Sequence, residues 1–166
     1  MRLSDELIRE EIDIMRRVSG LPIDSTALAT ASNIWRASQL FRQQMEQNIL
    51  RHYDLTWGSF STLFIVWIWG PLEMSAIAES QHVSRPTITS IVSLLEKRGH
   101  CVRQPINDAG DRLTVMVALT ATGRALIEEV FPRFNRGERD FVACLNEEER
   151  TTLAQLLRKV IIANSD

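Results

Sequence analysis

The feature that most constrains this chain is an abrupt change of apolar period between residues 84 and 119, with no linker between the two patterns. Ser84 opens a helical pattern: its hydroxyl is placed to accept from the backbone N–H of Thr87, and Pro86 stands in the first turn, where a missing N–H costs little. Ile88, Ile91, Val92 and Leu95 form one inward stripe, Lys97 and Arg98 suit the negative end of the helix dipole, and Gly99 ends the run. From Cys101 the period becomes two. Val102, Arg103 and Gln104 lead to the turn cluster Asn107-Asp108-Ala109-Gly110, after which Leu113, Val115, Val117 and Leu119 alternate with Thr114, Met116 and Ala118. A capped helix running straight into a β-hairpin is predicted.

The flanking segments read as helices. Residues 4–19 start at Ser4 as a cap, carry acids early and Arg16-Arg17 late, and space Leu3, Leu7, Ile14 and Val18 as an amphipathic stripe. Residues 25–52 place Ile34, Ser38, Phe41, Met45, Ile49 and His52 at steps of three and four, the stripe of one long helix. Thr56 caps a mostly buried helix over 57–69. After Gly70-Pro71 a short helix over 73–80 turns inward Ile77 and Ala78, and Gln81-His82-Val83 make the turn before Ser84. Thr120 caps a helix running past Phe131, bent at Pro132, to about Cys144. Asn146 with Glu149 is a capping box for the last helix, 147–163, with Leu153, Leu156, Leu157, Val160 and Ile161 as its apolar face.

Composition narrows the function classes. The 166 residues suffice for one cored domain without disulfides, and 45% hydrophobic with 24% charged residues is ordinary for a folded soluble protein. The start of the chain is too charged for a signal peptide and the apolar run 63–69 too short to span a bilayer, so a cytoplasmic protein with no membrane partner is expected. Cys101 and Cys144 have no neighbours at metal-ligand spacing and are expected to be packed, reduced thiols; a redox role is the lesser alternative. His52, His82 and His100 are isolated and no phosphate-binding glycine loop follows a strand, so neither an enzyme nor a cofactor is implied. Net charge is −2, yet residues 84–112 carry +2 and the remainder −4, a modest local basic excess.

Short helix, tight turn, capped second helix and hairpin together make a winged helix-turn-helix. The N-terminal end of such a helix brings its outward residues to base edges in the major groove of duplex DNA, while free N–H groups there favour phosphate. Those residues are Ser84, Arg85, Pro86, Thr87, Thr89, Ser90 and Ser93; Arg85 suits guanine, and the hydroxyls suit bases or phosphates. The same residues also suit a plain solvated helix face.

The order and spacing of Leu55-Thr56, Phe60, Leu63, Ala78, Ser84-x-x-Thr87-Ile88-Thr89, Leu95-Glu96-Lys97-Arg98-Gly99, Asp111-Arg112 and Leu119-Thr120-x-x-Gly123 resembles the MarR (multiple antibiotic resistance regulator) family over roughly residues 25–162. The resemblance implies a mainly α fold with a small β-hairpin wing, in which N- and C-terminal helices form a dimerisation region. It divides the chain into an N-terminal helical extension (1–24), a dimerisation helix (25–54), a winged helix-turn-helix DNA-binding region (55–119) and C-terminal dimerisation helices (120–166). It further implies a homodimer on a pseudo-palindromic duplex site, acting as a ligand-responsive repressor. Arg103, Asp111 and Arg112 in the wing join the DNA-binding set. A small aromatic or phenolic effector would sit among Trp35, Trp57, Phe60 and Phe64, although each of these rings also suits a hydrophobic core. Two positions depart from the family pattern: Ser90 and Leu113 stand where it commonly has arginine. They keep open a second reading, a dimeric winged-helix adaptor or small-molecule-binding protein that does not bind DNA.

Overall fold

The computed structural model describes residues 7–107 and 113–165, and the chain forms two compact units, Met1–Arg42 and Gln43–Asp166. In the first, α1 (Arg9–Val18) precedes the start of α2 (Ser25–Asn48). The acids Glu10 and Glu11 open α1 and Arg16 and Arg17 close it, each matching the local dipole. Glu11 is buried and does two jobs: one oxygen accepts from the Ile8 N–H at 3.1 Å, the other from Asn33 Nδ2 at 2.8 Å, joining α1 to α2. The N-cap of α1 is Ile8; the expected cap, Ser4, lies outside the described residues.

The long helix predicted to reach residue 52 stops at Asn48, and a 3-10 turn, Leu50–Tyr53, follows. The tighter turn carries Leu50 fully into the core and leaves His52 exposed; of the predicted stripe Met45 is buried and Phe41 and Ile49 half-buried, whereas Ile34 and Ser38 are exposed as well. Asp54, in the left-handed region at φ 55°, completes the reversal into α3 (Trp57–Trp69). Thr56 caps α3, accepting from the Ser59 N–H at 3.2 Å, and the Trp57 N–H donates to Glu46 Oε1 at 2.8 Å. Gly70 at φ 80° ends this helix, where a side chain would be strained.

The expected hairpin is part of a three-stranded antiparallel sheet in the order β1-β3-β2, with β1 at Leu72–Glu73, β2 at Cys101–Asn107 and β3 at Leu113–Leu119. Leu72 pairs with Val117 and Cys101 with Leu119, so β3 is central at the base of the sheet. There the alternation fails: Val117 and Ala118 are both buried, whereas Val115 is exposed. Between β1 and β2 lie α4 (Met74–Ser80) and α5 (Arg85–Lys97). Helix α6 runs Ala121–Phe141 with Pro132 inside it, three residues short of the predicted end, and α7 spans Glu147–Ala163 behind the Asn146–Glu149 capping box.

Leu50, Leu63, Ile77, Ile88, Val92, Leu95, Val117, Ile127 and Val130 form the centre of this unit, each with no measurable exposure. Helix α7 contributes none of it. Leu153, Leu156, Val160 and Ile161, predicted as its apolar face, are between 42% and 63% exposed in the single chain.

One joint fixes α6 to the end of α5. Gly99 leaves the helix at φ 73°, its carbonyl accepts from Thr120 Oγ1 at 2.6 Å, and the His100 carbonyl accepts from the Thr120 N–H at 3.1 Å. Thr120 in turn caps α6 through the Gly123 N–H at 2.9 Å. A Cβ on Gly123 would fall 1.8 Å from the His100 carbonyl oxygen, so only glycine admits this approach. Gly123→Ala is therefore expected to destabilise the fold by about 1–3 kcal/mol despite alanine's better helix propensity, as read from urea unfolding; an unchanged midpoint would contradict this packing.

His100 Nδ1 is buried in the same joint without a hydrogen-bond partner among the described residues. Burial, and then the charge of Arg98, hold the imidazole pKa below its ordinary 6.5. Because the unfolded chain takes the proton first, the stability this residue contributes is present above that ordinary value and is lost as pH falls below it. Between pH 7.5 and 5.5 the unfolding midpoint should thus fall more for the wild-type chain than for His100→Gln. Equal falls would remove His100 as the cause.

Candidate nucleic-acid interface

The inward stripe of α5 decides which residues it offers outside. With Ile88, Val92 and Leu95 wholly buried, Ser84, Arg85, Pro86, Thr87, Thr89, Ser90 and Ser93 all lie exposed. The helix begins as its sequence dictates: Ser84 Oγ accepts from the Thr87 N–H at 3.3 Å and lies 2.8 Å from Thr87 Oγ1. Thr89 and Ser90 donate their hydroxyl protons to the Arg85 and Pro86 carbonyls, at 3.0 and 3.1 Å. Each hydroxyl keeps acceptor capacity toward solvent. No acid lies on α5 before Glu96, so this face combines a cation, hydroxyls and the positive end of the helix dipole.

The scaffold behind it is tight. A Cβ on Gly58 would stand 2.8 Å from Ile91 Cδ1, so glycine lets α3 and α5 pack closely. Gln81 Nε2 donates to Thr62 Oγ1 at 2.8 Å, and His82 takes the left-handed conformation at φ 51° to aim the chain into Ser84.

In the wing, Arg103 is half-buried and engaged within the chain. Its backbone N–H donates to Glu96 Oε1 at 2.8 Å, its Nη1 pairs with Glu96 Oε2, and its Nη2 donates to Ser93 Oγ at 3.0 Å and to the Thr89 carbonyl at 3.3 Å. Thr89, Ser93 and Arg103, three of the residues predicted to meet DNA, are thus brought together. Glu96, which pairs with Arg103, was read from sequence only as part of the Leu95–Gly99 motif and not as a site residue; a carboxylate in the last helical turn followed by an arginine seven residues on was the available signal. Asp111 and Arg112 lie outside the described residues, and Leu113 pairs by its backbone with Asn107 at the outer end of the hairpin.

The four candidate effector residues divide between the two units. Trp35, in the first, is 64% exposed. The other three line the α3–α6 contact: Phe60 is buried and stacks on Phe134 at 4.2 Å between centroids, Phe64 on Phe131 at 5.3 Å, and Trp57 lies 6.0 Å from Phe134. A separate open cleft of about 380 Å³ runs between Gln44 and Asn48 at the end of α2, with Ile49 just after it, and Arg133, Arg136 and Gly137 on α6.

Of the two thiols expected to be packed, only Cys101 is. Burial, with the nearby Glu96 charge, pushes it up to about 11, leaving it protonated and unreactive at neutral pH. Cys144 is exposed, because α6 ends before reaching it and the following turn carries it outward. Among the described residues no group of His, Cys, Asp or Glu is arranged to hold a metal ion, and no helix is long and apolar enough to cross a membrane.

Comparison with known proteins agrees with this geometry. The MarR family model matches residues 55–109, the segment running from the entry to α3 into the wing. Over 158 residues the chain is 37% identical to YwaE, an uncharacterized HTH-type transcriptional regulator of Bacillus subtilis, covering 93% of this chain and 91% of that protein. It is 29% identical to the HTH-type transcriptional repressor NicR of Pseudomonas putida, with 86% and 91% covered. Its fold matches that of Bordetella bronchiseptica BpsR, whose DNA binding is regulated by 6-hydroxynicotinic acid, with TM-score 0.69 and 26% identity over 79% of this chain and 97% of that one. With its sequence and its winged helix-turn-helix both matching, the chain belongs to the MarR family of HTH-type transcriptional regulators.

Proposed function

We propose that this regulator binds duplex DNA as a homodimer, with the N-terminal end of α5 in the major groove, and that a small aromatic or phenolic anion modulates its binding as the effector of a repressor. The observation that carries the reading is the exposed, acid-free face from Ser84 to Ser93, presented by a helix whose opposite side is wholly buried. Arg85 sits in the first turn, where a bidentate pair with guanine is sterically open.

The exposed stripe on α7 supports a dimer, since Leu153, Leu156, Val160 and Ile161 need cover that the described chain does not give them. Two recognition helices related by a twofold axis would meet half-sites about 34–36 Å apart, one helical turn. NicR, a repressor, and BpsR, regulated by an aromatic acid, support the repressor and effector parts of the reading. Such a protein works in the cytoplasm, where its DNA is.

A fluorescence titration of duplex from the promoter region of its own gene cluster, repeated across salt concentrations, tests this. Arg85→Ala should weaken cognate binding by about 1–3 kcal/mol and relax sequence preference at one position of each half-site. Unchanged affinity and preference would take α5 out of the groove, and the adaptor reading would replace this one.

A further inference from the structure

Arg103 is the wing residue whose cation a DNA-binding reading would first assign to a phosphate, but its surroundings give it other work. One guanidinium reaches from Thr89 through Ser93 to Glu96, two turns of α5, while its own backbone N–H is held by the same Glu96 carboxylate. Both side chains of the pair are about three-quarters shielded, at 27% and 26% exposed. A forked, multiply bonded arginine of this kind fixes orientation in a way that a single point charge does not. By donating to Ser93 Oγ, Arg103 also occupies an acceptor site of that hydroxyl and fixes where its oxygen sits.

We infer that Arg103 and Glu96 are a positioning pair: they lock the wing strand β2 to the recognition helix α5 and orient Ser93, and Arg103 makes no phosphate contact of its own. This rests on the proposed DNA binding by α5. It assigns to Glu96, an acid beside a surface that should favour cations, the task of keeping helix and wing at one angle. Specific binding, which needs both elements in register, then depends on the pair, whereas non-specific attraction to phosphate does not.

The salt dependence of binding separates a positioning residue from a phosphate contact, because each phosphate contact adds about 0.9 to the slope of log affinity against log salt. Cognate and unrelated duplexes are titrated with the wild-type chain, Arg103→Ala, Arg103→Lys and Glu96→Gln, and urea unfolding establishes that each variant is folded. All three variants should lose about tenfold in cognate affinity, keep their affinity for the unrelated duplex, and keep the wild-type salt slope. Glu96→Gln is the sharpest arm, since removing a negative charge would by electrostatics alone tighten binding. The near-isosteric Glu96→Gln and the charge-preserving Arg103→Lys keep the test valid if Arg103→Ala does not fold. The inference is overturned if Arg103→Lys binds as wild type, if Arg103→Ala lowers the slope by about one, or if Glu96→Gln tightens binding. Sequence-independent binding by the wild-type chain, or none, would instead bring down the DNA-binding reading beneath it.

Discussion

The burial of Ile88, Val92 and Leu95 is the constraint on which the rest of the structure depends. Each of these side chains is wholly removed from solvent, and full burial stabilises by about 1.5–3 kcal/mol per residue. Together they fix the rotation of α5 about its axis. A turn of the helix that brought Arg85, Thr89 or Ser93 inward would forfeit that stabilisation and bury polar groups without partners. The candidate DNA-binding face is therefore a consequence of the core. The close α3–α5 approach at Gly58, the clasp of Gln81 on Thr62 and the Glu96–Arg103 pair then hold the helix against displacement.

The joint at His100 adds a second link, between the recognition helix and α6. Since Gly123 meets the His100 carbonyl directly and Thr120 bonds both Gly99 and His100, the start of α6 and the end of α5 are tied by backbone as well as by side chains. Further along its length α6 stacks Phe131 and Phe134 against the rings of α3. A ligand that shifted α3 against α6 would therefore strain the mounting of α5. On the proposed reading, an effector would thereby have a mechanical route to α5 without touching it, through elements packed too tightly to deform gradually.

Much of this was legible in the sequence because it is local. Ser84, Thr56, Thr120 and Asn146 each cap the helix they were expected to cap, and a cap needs only the three residues that follow it. What escaped depends on distant partners. Strand β1 has two residues, too few for any alternation, and exists because Leu72 meets Val117, 45 positions away in a register that only the folded sheet supplies. The early end of α2 follows from the pull of the core on Leu50, and the failed alternation at Val117 and Ala118 from β3's central place in the sheet. At the candidate interface, sequence located the outward residues of α5 from the inward stripe. It grouped Arg103 with them as a wing residue, whereas its neighbours Glu96, Ser93 and Thr89 are set by how β2 crosses the helix.

The central claim, that the N-terminal face of α5 occupies the major groove at two symmetric half-sites, is tested most directly by guanine N7 methylation protection on a duplex selected by the full-length chain from a random pool. N7 lies in the major groove and is the atom an arginine in the first turn would cover. The account expects two protected guanine positions about one helical turn apart, related by the symmetry of the selected site, with the Arg85→Ala chain leaving both open. Selection of no common sequence, or a selected duplex whose guanines all remain reactive with the protein bound, would contradict it.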